Sequence, residues 1–189
     1  MAYYITDGEL KTRLGEPTGA SDDEINAACV FAQKWIDWYT GRRFQAITAT
    51  RYYLRDALDP FDRKLLLVDD DLLTVTTLTN GDADETEITS TQYWLWPRNE
   101  TPKVGIRLKS DYTWEFDIDC FISVAGTWGY MTAPDALVKG CALRIAQWFH
   151  ESKNMVDVTT IFDTTATRQR PAGWPEDVEM SLYPYKRQF

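Results

Sequence analysis

Apolar residues recur at helical spacing in two long segments, at about 22–40 and 135–153. On the first segment they are Ile25, Ala28, Cys29, Ala32, Trp35, Ile36 and Tyr39, and on the second Leu137, Val138, Cys141, Ala142, Ile145, Trp148 and Phe149. Ala27, Phe31 and Trp38 widen the apolar face of the first segment beyond half of its circumference. A helix with so broad an apolar face needs packing partners on two sides.

Capping signals set the ends of the first helices. Thr6 with Glu9, and Ser21 with Glu24, each have the spacing of a capping box, in which two side chains satisfy the first free N–H groups. The first pair predicts a short helix over about 6–14, and the second opens the first long helix. Gly41 is placed to end that helix, because glycine readily adopts the left-handed conformation found there.

The pattern changes to period two from Phe44 to about Tyr130, which is typical of strands. The predicted strands are Ala49–Leu54, Lys64–Val68, Leu73–Thr79, Glu87–Ile88, Gln92–Trp96, Val104–Leu108 and Ile118–Ala125. Asn80-Gly81 is a strong signal for a tight turn between two of them. The region therefore predicts a mostly antiparallel sheet inserted between helices.

These elements predict an α+β fold. It consists of a small α-helical bundle, with two long helices and short terminal helices, an inserted mostly antiparallel β region and an extended C-terminal arm. The predicted boundaries are 1–43 and 133–153 for the helical core, 44–132 for the β region and 154–189 for the arm. A short helix is expected in the arm from Pro175.

The run Gly126-Thr-Trp-Gly-Tyr joins the β region to the second long helix. Two glycines around a tryptophan suit either a binding loop or a turn that packs Trp128 into a core. The run has no basic residue and no nucleophile, so we favour the turn. Gly126 and Gly129 are then backbone turns, Trp128 a packing anchor and Pro134 the start of the helix, where proline needs no donor. Such a joint would fix the angle between the β region and the helices.

Charge narrows the range of functions. The 189 residues include 20 Lys and Arg against 29 Asp and Glu, a formal net charge of −9. Affinity for phosphate comes mainly from Lys and Arg, so the chain is a poor general DNA binder, although DNA can still pass close to it. Aromatic residues make up 14% of the chain, and both a core and an interface explain them. Cys29 and Cys141 fall on core faces and are expected to be buried thiols.

No catalytic group of residues stands out, and the prediction is a protein that is not an enzyme, with no cofactor and no metal. The single histidine, His150, is expected on the polar side of its helix. The run Asp69-Asp70-Asp71 lacks the alternating ligands and the glycine of a calcium loop, so a solvated turn is favoured over a cation site. Tyr93–Trp96 has few basic neighbours for stacking nucleic-acid bases, which favours a core or a subunit interface.

Four stretches together resemble the head-to-tail connector (adaptor, or neck) proteins of tailed bacteriophages, and they cover about half of the chain. They are YYITDGELKTRLG, SDDEINAACVFAQKWIDWYTGRRF, ISVAGTWGYMTAPDALVKGCALRIAQWF and LYPYKR. The piece from Ile36 to Phe44 is the most specific of them. The long β insertion is compatible with the larger members of the family.

The resemblance implies a structural virion protein of the neck, between capsid and tail, made in the host cytoplasm. Members form a ring, typically of twelve subunits, below the portal. The ring extends the DNA channel and offers a platform to stopper or tail-completion proteins. Its partners would be further copies of itself, the portal protein and the next neck protein, while genomic DNA passes without specific binding and no membrane is involved. A stopper or tail-completion protein is the alternative.

Two sets of residues follow as candidate surfaces. The expected subunit interface comprises Phe31, Trp35, Trp38 and Tyr39 on the first long helix. The expected portal or neighbour docking residues are Trp174, Leu182, Tyr183, Tyr185, Lys186 and Arg187 in the arm. The arm mixes apolar and basic residues, so it either wraps on its own domain or binds a partner. An unrelated enzyme or small-ligand binder using the Trp128 turn and the acidic loops is the remaining alternative.

Overall fold

The computed structural model describes residues 3–15, 21–117, 120–153 and 174–187. The chain forms two compact units, one of Met1–Gly41 with Pro134–Phe189 and one of Arg42–Ala133. The first unit is helical and the second is built on a sheet. The predicted α+β class is confirmed. Of the predicted C-terminal arm, residues 154–173 lie outside the described residues.

The helical unit contains α1 (Asp7–Arg13), α2 (Asp22–Thr40), α3 (Ala136–Lys153) and α4 (Glu176–Leu182). Both predicted capping boxes are present, with Thr6 and Glu9 at α1 and with Ser21 and Glu24 at α2. Gly41 ends α2 in the left-handed conformation, with φ 65°. These ends are encoded locally, which is why the sequence predicts them well.

The two long helices α2 and α3 pack against each other, and α1 packs on both. Fully buried residues from the three helices form the core: Leu10, Ile25, Ala28, Cys29, Ala32, Ile36, Val138, Ala142, Ile145 and Ala146. Asp135 caps α3, since its carboxylate accepts the Val138 N–H at 2.8 Å. Pro134 therefore precedes the capping residue and does not occupy the first helical turn that was predicted for it.

Burial makes the two helical cysteines poor nucleophiles. Burial raises the pKa of the Cys29 thiol to about 12, and the nearby Asp7 carboxylate adds to the shift. Burial likewise raises the pKa of Cys141 to about 11. The prediction of buried thiols at these two positions is confirmed, with exposures of 0% and 6%.

The described residues of the second unit form one five-stranded antiparallel sheet. Its strands are β1 (Ile47–Tyr53), β2 (Leu65–Thr79), β3 (Tyr93–Trp96), β4 (Lys103–Leu108) and β5 (Ile122–Trp128), in the spatial order β1-β5-β2-β4-β3. β5 alternates buried and half-buried residues, with Ile122, Val124 and Trp128 in the core. The predicted strand at Glu87–Ile88 contributes only an isolated bridge between Thr79 and Glu87.

Three consecutive aspartates lie inside β2, where the sequence predicted a solvated turn between two strands. Arg42 Nη1 donates to both carboxylate oxygens of Asp71, at 2.7 and 2.8 Å, and the Asp71 side chain has no exposed surface. Arg51 donates to Asp69 at 2.8 Å and to Asp70 at 2.6 Å. The turn prediction was wrong because arginines distant in sequence pair with the run and let it continue as strand.

The region around the Arg42–Asp71 ion pair also connects the beginning of the sheet unit to residues near its end. The Asp71 carbonyl accepts the Gly129 N–H at 2.7 Å, and the Tyr130 N–H donates to the Arg43 carbonyl at 2.6 Å. The Arg42 guanidinium lies 4.7 Å from the centre of the Tyr130 ring. We call these five residues the Asp71 clamp, and they hold the start of the unit beside residues close to its end.

Asn80-Gly81 does not form the predicted tight turn. The side-chain amide oxygen of Asn80 accepts the Glu115 N–H at 2.9 Å, and the Gly81 N–H donates to the Glu115 carbonyl at 3.0 Å. The chain reverses further on, where the Asp82 carboxylate accepts the Thr86 N–H at 2.9 Å. Both residues of the predicted turn thus bond to Glu115, a residue distant in sequence, and these contacts override the local preference for a turn.

The glycine-tryptophan run also differs from its prediction. Gly126 lies inside β5 and not in a turn. A Cβ added there would meet the Thr74 carbonyl oxygen at 2.2 Å, so glycine is required by the close approach of β2. Gly129 does turn the chain, with φ 134°. Trp128 is fully buried, and its ring N–H donates to the Ala49 carbonyl at 2.9 Å.

Replacing Gly126 tests the close approach. We expect Gly126→Ala to lower the free energy of unfolding by about 3 kcal/mol or more, because the new methyl group has no space and the neighbour is backbone. Gly140→Ala in α3 is the control: nothing lies within 4 Å of its added Cβ, and it should stabilise by roughly 0.5–1 kcal/mol. Urea unfolding measures both. Equal behaviour of the two variants would show that the strand contact is looser than described.

Asp71→Asn tests the clamp. It leaves the Arg42 cation without its partner charge, and we expect a loss of about 3 kcal/mol in unfolding free energy, at the low end for broken buried pairs because Arg42 keeps some contact with water. The double variant Arg42→Met/Asp71→Asn removes the unpaired cation as well and should lose less. Thermal unfolding of both proteins is the measurement, and a double variant no more stable than Asp71→Asn contradicts the ion-pair account.

Candidate interaction surface

Aromatic side chains of α2 point in two directions. Trp35 stacks on Tyr39 with ring centres 5.0 Å apart, and it contacts Trp174 at 4.6 Å. Trp174 in turn meets Trp148 of α3 edge-on at 5.0 Å. We call Trp35, Tyr39, Trp148 and Trp174 the aromatic cluster. Trp38 lies outside it, with 77% of its surface exposed.

Hydrogen bonds and apolar contacts fasten the segment 174–187 to α2 and α3. The Tyr39 hydroxyl donates to the Glu179 carbonyl at 3.3 Å, and the Arg187 N–H donates to the Thr40 carbonyl at 2.8 Å. On α3, Arg144 forms an ion pair with Asp177. Further contacts come from buried Val178 and Leu182 and from the Tyr185 hydroxyl, which donates to Asp135 at 3.1 Å. The described end of the chain therefore packs on its own helical unit.

Glu179 links the aromatic cluster to α4. Its carboxylate accepts the Trp174 ring N–H at 2.8 Å. Partial burial raises the pKa of the Tyr39 hydroxyl, and the Glu179 and Tyr183 side chains add to that shift. The Lys186 ammonium lies 4.7 Å from the centre of the Tyr39 ring, on which it makes a cation–π contact. Tyr39 is therefore partly covered, and Glu179 and Lys186 hold its ring in place.

The structure divides the predicted surface residues into packed and exposed groups. Phe31 stacks on Phe149 at 4.2 Å, and Trp35, Tyr39 and Trp174 belong to the aromatic cluster. Leu182 is fully buried. Three of the predicted residues are exposed: Trp38, Lys186 and, with 68% of its surface exposed, Tyr183.

Met180 belongs with the exposed group, although the sequence reasoning missed it. It is 79% exposed and lies three residues before Tyr183. Residues three apart on a helix share a side, so the spacing itself could have identified it once α4 was placed. We call Trp38, Met180 and Tyr183 the exposed apolar residues. Their segments meet at Tyr39, which contacts Glu179.

A pocket of about 180 Å³ lies between the N-terminal end of α2 and the C-terminal end of α3. Its lining residues are Asp23, Glu24, Ala27, Phe149, His150 and Lys153. His150 is buried, with 8% exposure, so its predicted position on the polar side of the helix was wrong. The Lys153 ammonium lies 4.5 Å from the centre of the Phe149 ring. We call this the α2–α3 pocket.

Within the described ranges, no group of three or more His, Cys, Asp or Glu side chains is placed to hold a metal ion. None of the helices in those ranges is long and apolar enough to cross a membrane.

Solved structures with a similar fold come from the neck of a phage-like particle. A chain in the neck of an empty GTA particle, a structure computed with C6 symmetry, superposes with a TM-score of 0.62 and 15% identity, covering 98% of this chain and 91% of its own. A chain in the neck of a native GTA particle, a structure computed with C12 symmetry, gives a TM-score of 0.62 at 12% identity, covering 96% of this chain and 88% of its own.

A chain in the virion of the native gene transfer agent particle gives a TM-score of 0.60 at 14% identity, covering 98% of this chain and 91% of its own. No family model and no curated protein matches this sequence. At such low identity the likeness establishes the fold, and it does so across nearly the whole chain, including the β region.

Trp174→Ala tests whether the aromatic cluster fastens the segment 174–187. We expect a loss of about 3 kcal/mol in unfolding free energy, at the low end for tryptophan because Trp174 is only half-buried, together with faster hydrogen exchange over 176–187. Trp38→Ala, which removes the same side chain from an exposed position, should change stability by less than about 0.5 kcal/mol. If hydrogen exchange over 176–187 is as slow in both variants as in the unmodified protein, the aromatic cluster does not hold the segment.

Proposed function

We propose that this protein is a structural subunit of a phage-like virion neck, a head-to-tail connector that forms a ring below the portal. The observation that carries the proposal is the likeness of its fold, over nearly its full length, to chains in GTA neck structures. Those neck structures were computed with C6 and C12 symmetry, which supports a homo-oligomeric ring, with a dodecamer as the expected state. The ring would continue the DNA channel and form the docking platform for the stopper or tail proteins.

The exposed apolar residues support an assembling subunit. Tryptophan, tyrosine and methionine are enriched in interfaces between proteins. Trp38 contacts Trp35 with ring centres 6.4 Å apart, so a packed neighbour limits its freedom before any partner arrives. Contacts between unlike surfaces of identical copies close into rings when the rotation fits. The predicted interface on α2 is thereby narrowed to Trp38, with Phe31, Trp35 and Tyr39 supporting it from within.

Net charge supports a conduit. A formal charge of −9 disfavours strong contact with DNA phosphates, so genomic DNA passes the ring without specific binding. Lys186 and Arg187 follow the exposed Tyr183, and these residues, with Tyr185, form the proposed docking end for the portal. The protein is proposed to be made in the host cytoplasm and to end in the virion neck.

The mass of the protein alone and after mixing with the cognate portal protein tests the proposal. Native mass spectrometry should show that a defined number of copies binds to the portal and forms a ring there. A stopper or tail-completion protein would instead bind only after another ring covers the portal, and cryo-electron microscopy of the particle would place it further from the capsid. Failure to join any portal or neck ring would contradict both assignments.

Trp38→Ala tests the ring interface. We expect the concentration needed for assembly to rise at least about tenfold, because a central interface tryptophan often contributes 2 kcal/mol or more, while the melting temperature of the free protein stays within a few degrees. Leu137→Ala, an exposed apolar residue of α3, is the control and should assemble normally. Unchanged assembly of the Trp38 variant would remove α2 from the interface.

A further inference from the structure

A single phenylalanine stands in solvent at the tip of the loop before β2. Phe61 is 99% exposed, so its ring adds nothing to the core. One exposed apolar residue is ordinary on a protein surface. What distinguishes Phe61 is the order of the loop that carries it.

Side chains of the loop itself fix its backbone. The Asp59 carboxylate accepts the N–H groups of Phe61 and Asp62, both at 2.8 Å. The Asp62 carboxylate accepts the Arg107 side chain of β4 at 2.6 Å, and the Asp62 carbonyl accepts the Leu65 N–H at 2.8 Å. The Arg107 hydrogen bond holds the pKa of Asp62 below its usual range. A loop ordered before binding loses little conformational entropy on binding, so its aromatic tip is a prepared anchor.

The α2–α3 pocket has the size and lining to receive such a ring. A cavity of about 150 Å³ holds a benzene molecule, and this pocket has about 180 Å³. Ala27 is exposed at the pocket, and Phe149 supplies an aromatic wall held by its stack on Phe31. Burying a phenylalanine side chain contributes about 1.5–3 kcal/mol, and an aromatic pair adds to that.

The charges of the loop and of the α2–α3 pocket are also complementary. Arg63, exposed and two residues after Phe61, would arrive beside Asp23 and Glu24 in the first turn of α2. Lys153 also lines the pocket, so its three formal charges sum to one net negative charge. The pocket and the loop are therefore unlike surfaces with matching features, as a contact between successive copies in a ring requires.

We propose that Phe61 of one copy inserts into the α2–α3 pocket of a neighbouring copy, with Arg63 facing Asp23. The inference rests on the proposed function in that it needs a second copy in the assembled ring. It adds a contact separate from Trp38, made by the sheet unit of one copy on the helical unit of the next.

Cysteine cross-linking tests the contact directly. Two proteins are made in a Cys120→Ser background, one with Phe61→Cys and one with Ala27→Cys, and both are mixed and assembled on the cognate portal before mild oxidation. We expect a heterodimer joined between positions 61 and 27, identified by mass spectrometry of the digested band. A pair with Tyr112→Cys in place of Phe61→Cys is the control and should stay uncross-linked.

Charge exchange gives an independent readout that does not depend on a new cysteine. Arg63→Asp should raise the concentration needed for assembly several-fold, as should Asp23→Arg, and combining them should restore most of the loss. Both positions are exposed, so far-ultraviolet circular dichroism and melting temperature should match those of the unmodified protein.

The outcomes separate this inference from the proposed function. If the unmodified protein forms rings but positions 61 and 27 never join and the charge exchange shows no recovery, the contact is wrong and the neck assignment stands. A bond from position 61 to the portal overturns the contact between copies. If no ring forms at all, both ideas fail together.

Discussion

The buried carboxylate of Asp71 is the constraint on which the sheet unit depends. A charged group without exposed surface needs a partner that supplies both charge and hydrogen bonds, and Arg42 provides both from the first residue of the unit. The Asp71 carbonyl then holds Gly129 at the other end. The same strand, β2, lies beside β5, where its backbone leaves room only for the hydrogen of Gly126. Ion pair, turn and strand contact are therefore parts of one arrangement.

The features that the sequence predicts correctly are those encoded by neighbouring residues. The capping boxes at Thr6 and Ser21 and the left-handed Gly41 depend on neighbours within four residues, and the structure has all three. The prediction is wrong where a distant segment decides the outcome. Asn80 has the local chemistry of a turn, yet its side-chain oxygen accepts the N–H of Glu115, a residue distant in sequence. The aspartates of β2 were predicted to be solvated because nothing in the sequence reveals that Arg42 and Arg51 lie against them.

The aromatic residues of α2 show the same difference between local and distant effects. Helical spacing correctly predicted that α2 carries aromatics on a broad face. It did not say which of them the chain would cover itself, because Trp174 comes from a segment more than a hundred residues away. Trp174 packs on Trp35, and Trp38 keeps the largest exposed fraction among the aromatic residues of α2, 77%. The packing of the segment 174–187 thus determines how much of the aromatic face of α2 is left exposed.

The Asp71 clamp has a consequence for how such a chain can change. The sheet unit begins at Arg42 and ends near Tyr130, and the Tyr130 N–H reaches the Arg43 carbonyl. Domains whose ends lie together tolerate insertion into another domain, because the host needs to bridge only a short gap. The sheet unit therefore has the geometry of an inserted domain. It can be lengthened, trimmed or exchanged while the caps of the helices on either side of it, at Gly41 and Asp135, keep their own local chemistry.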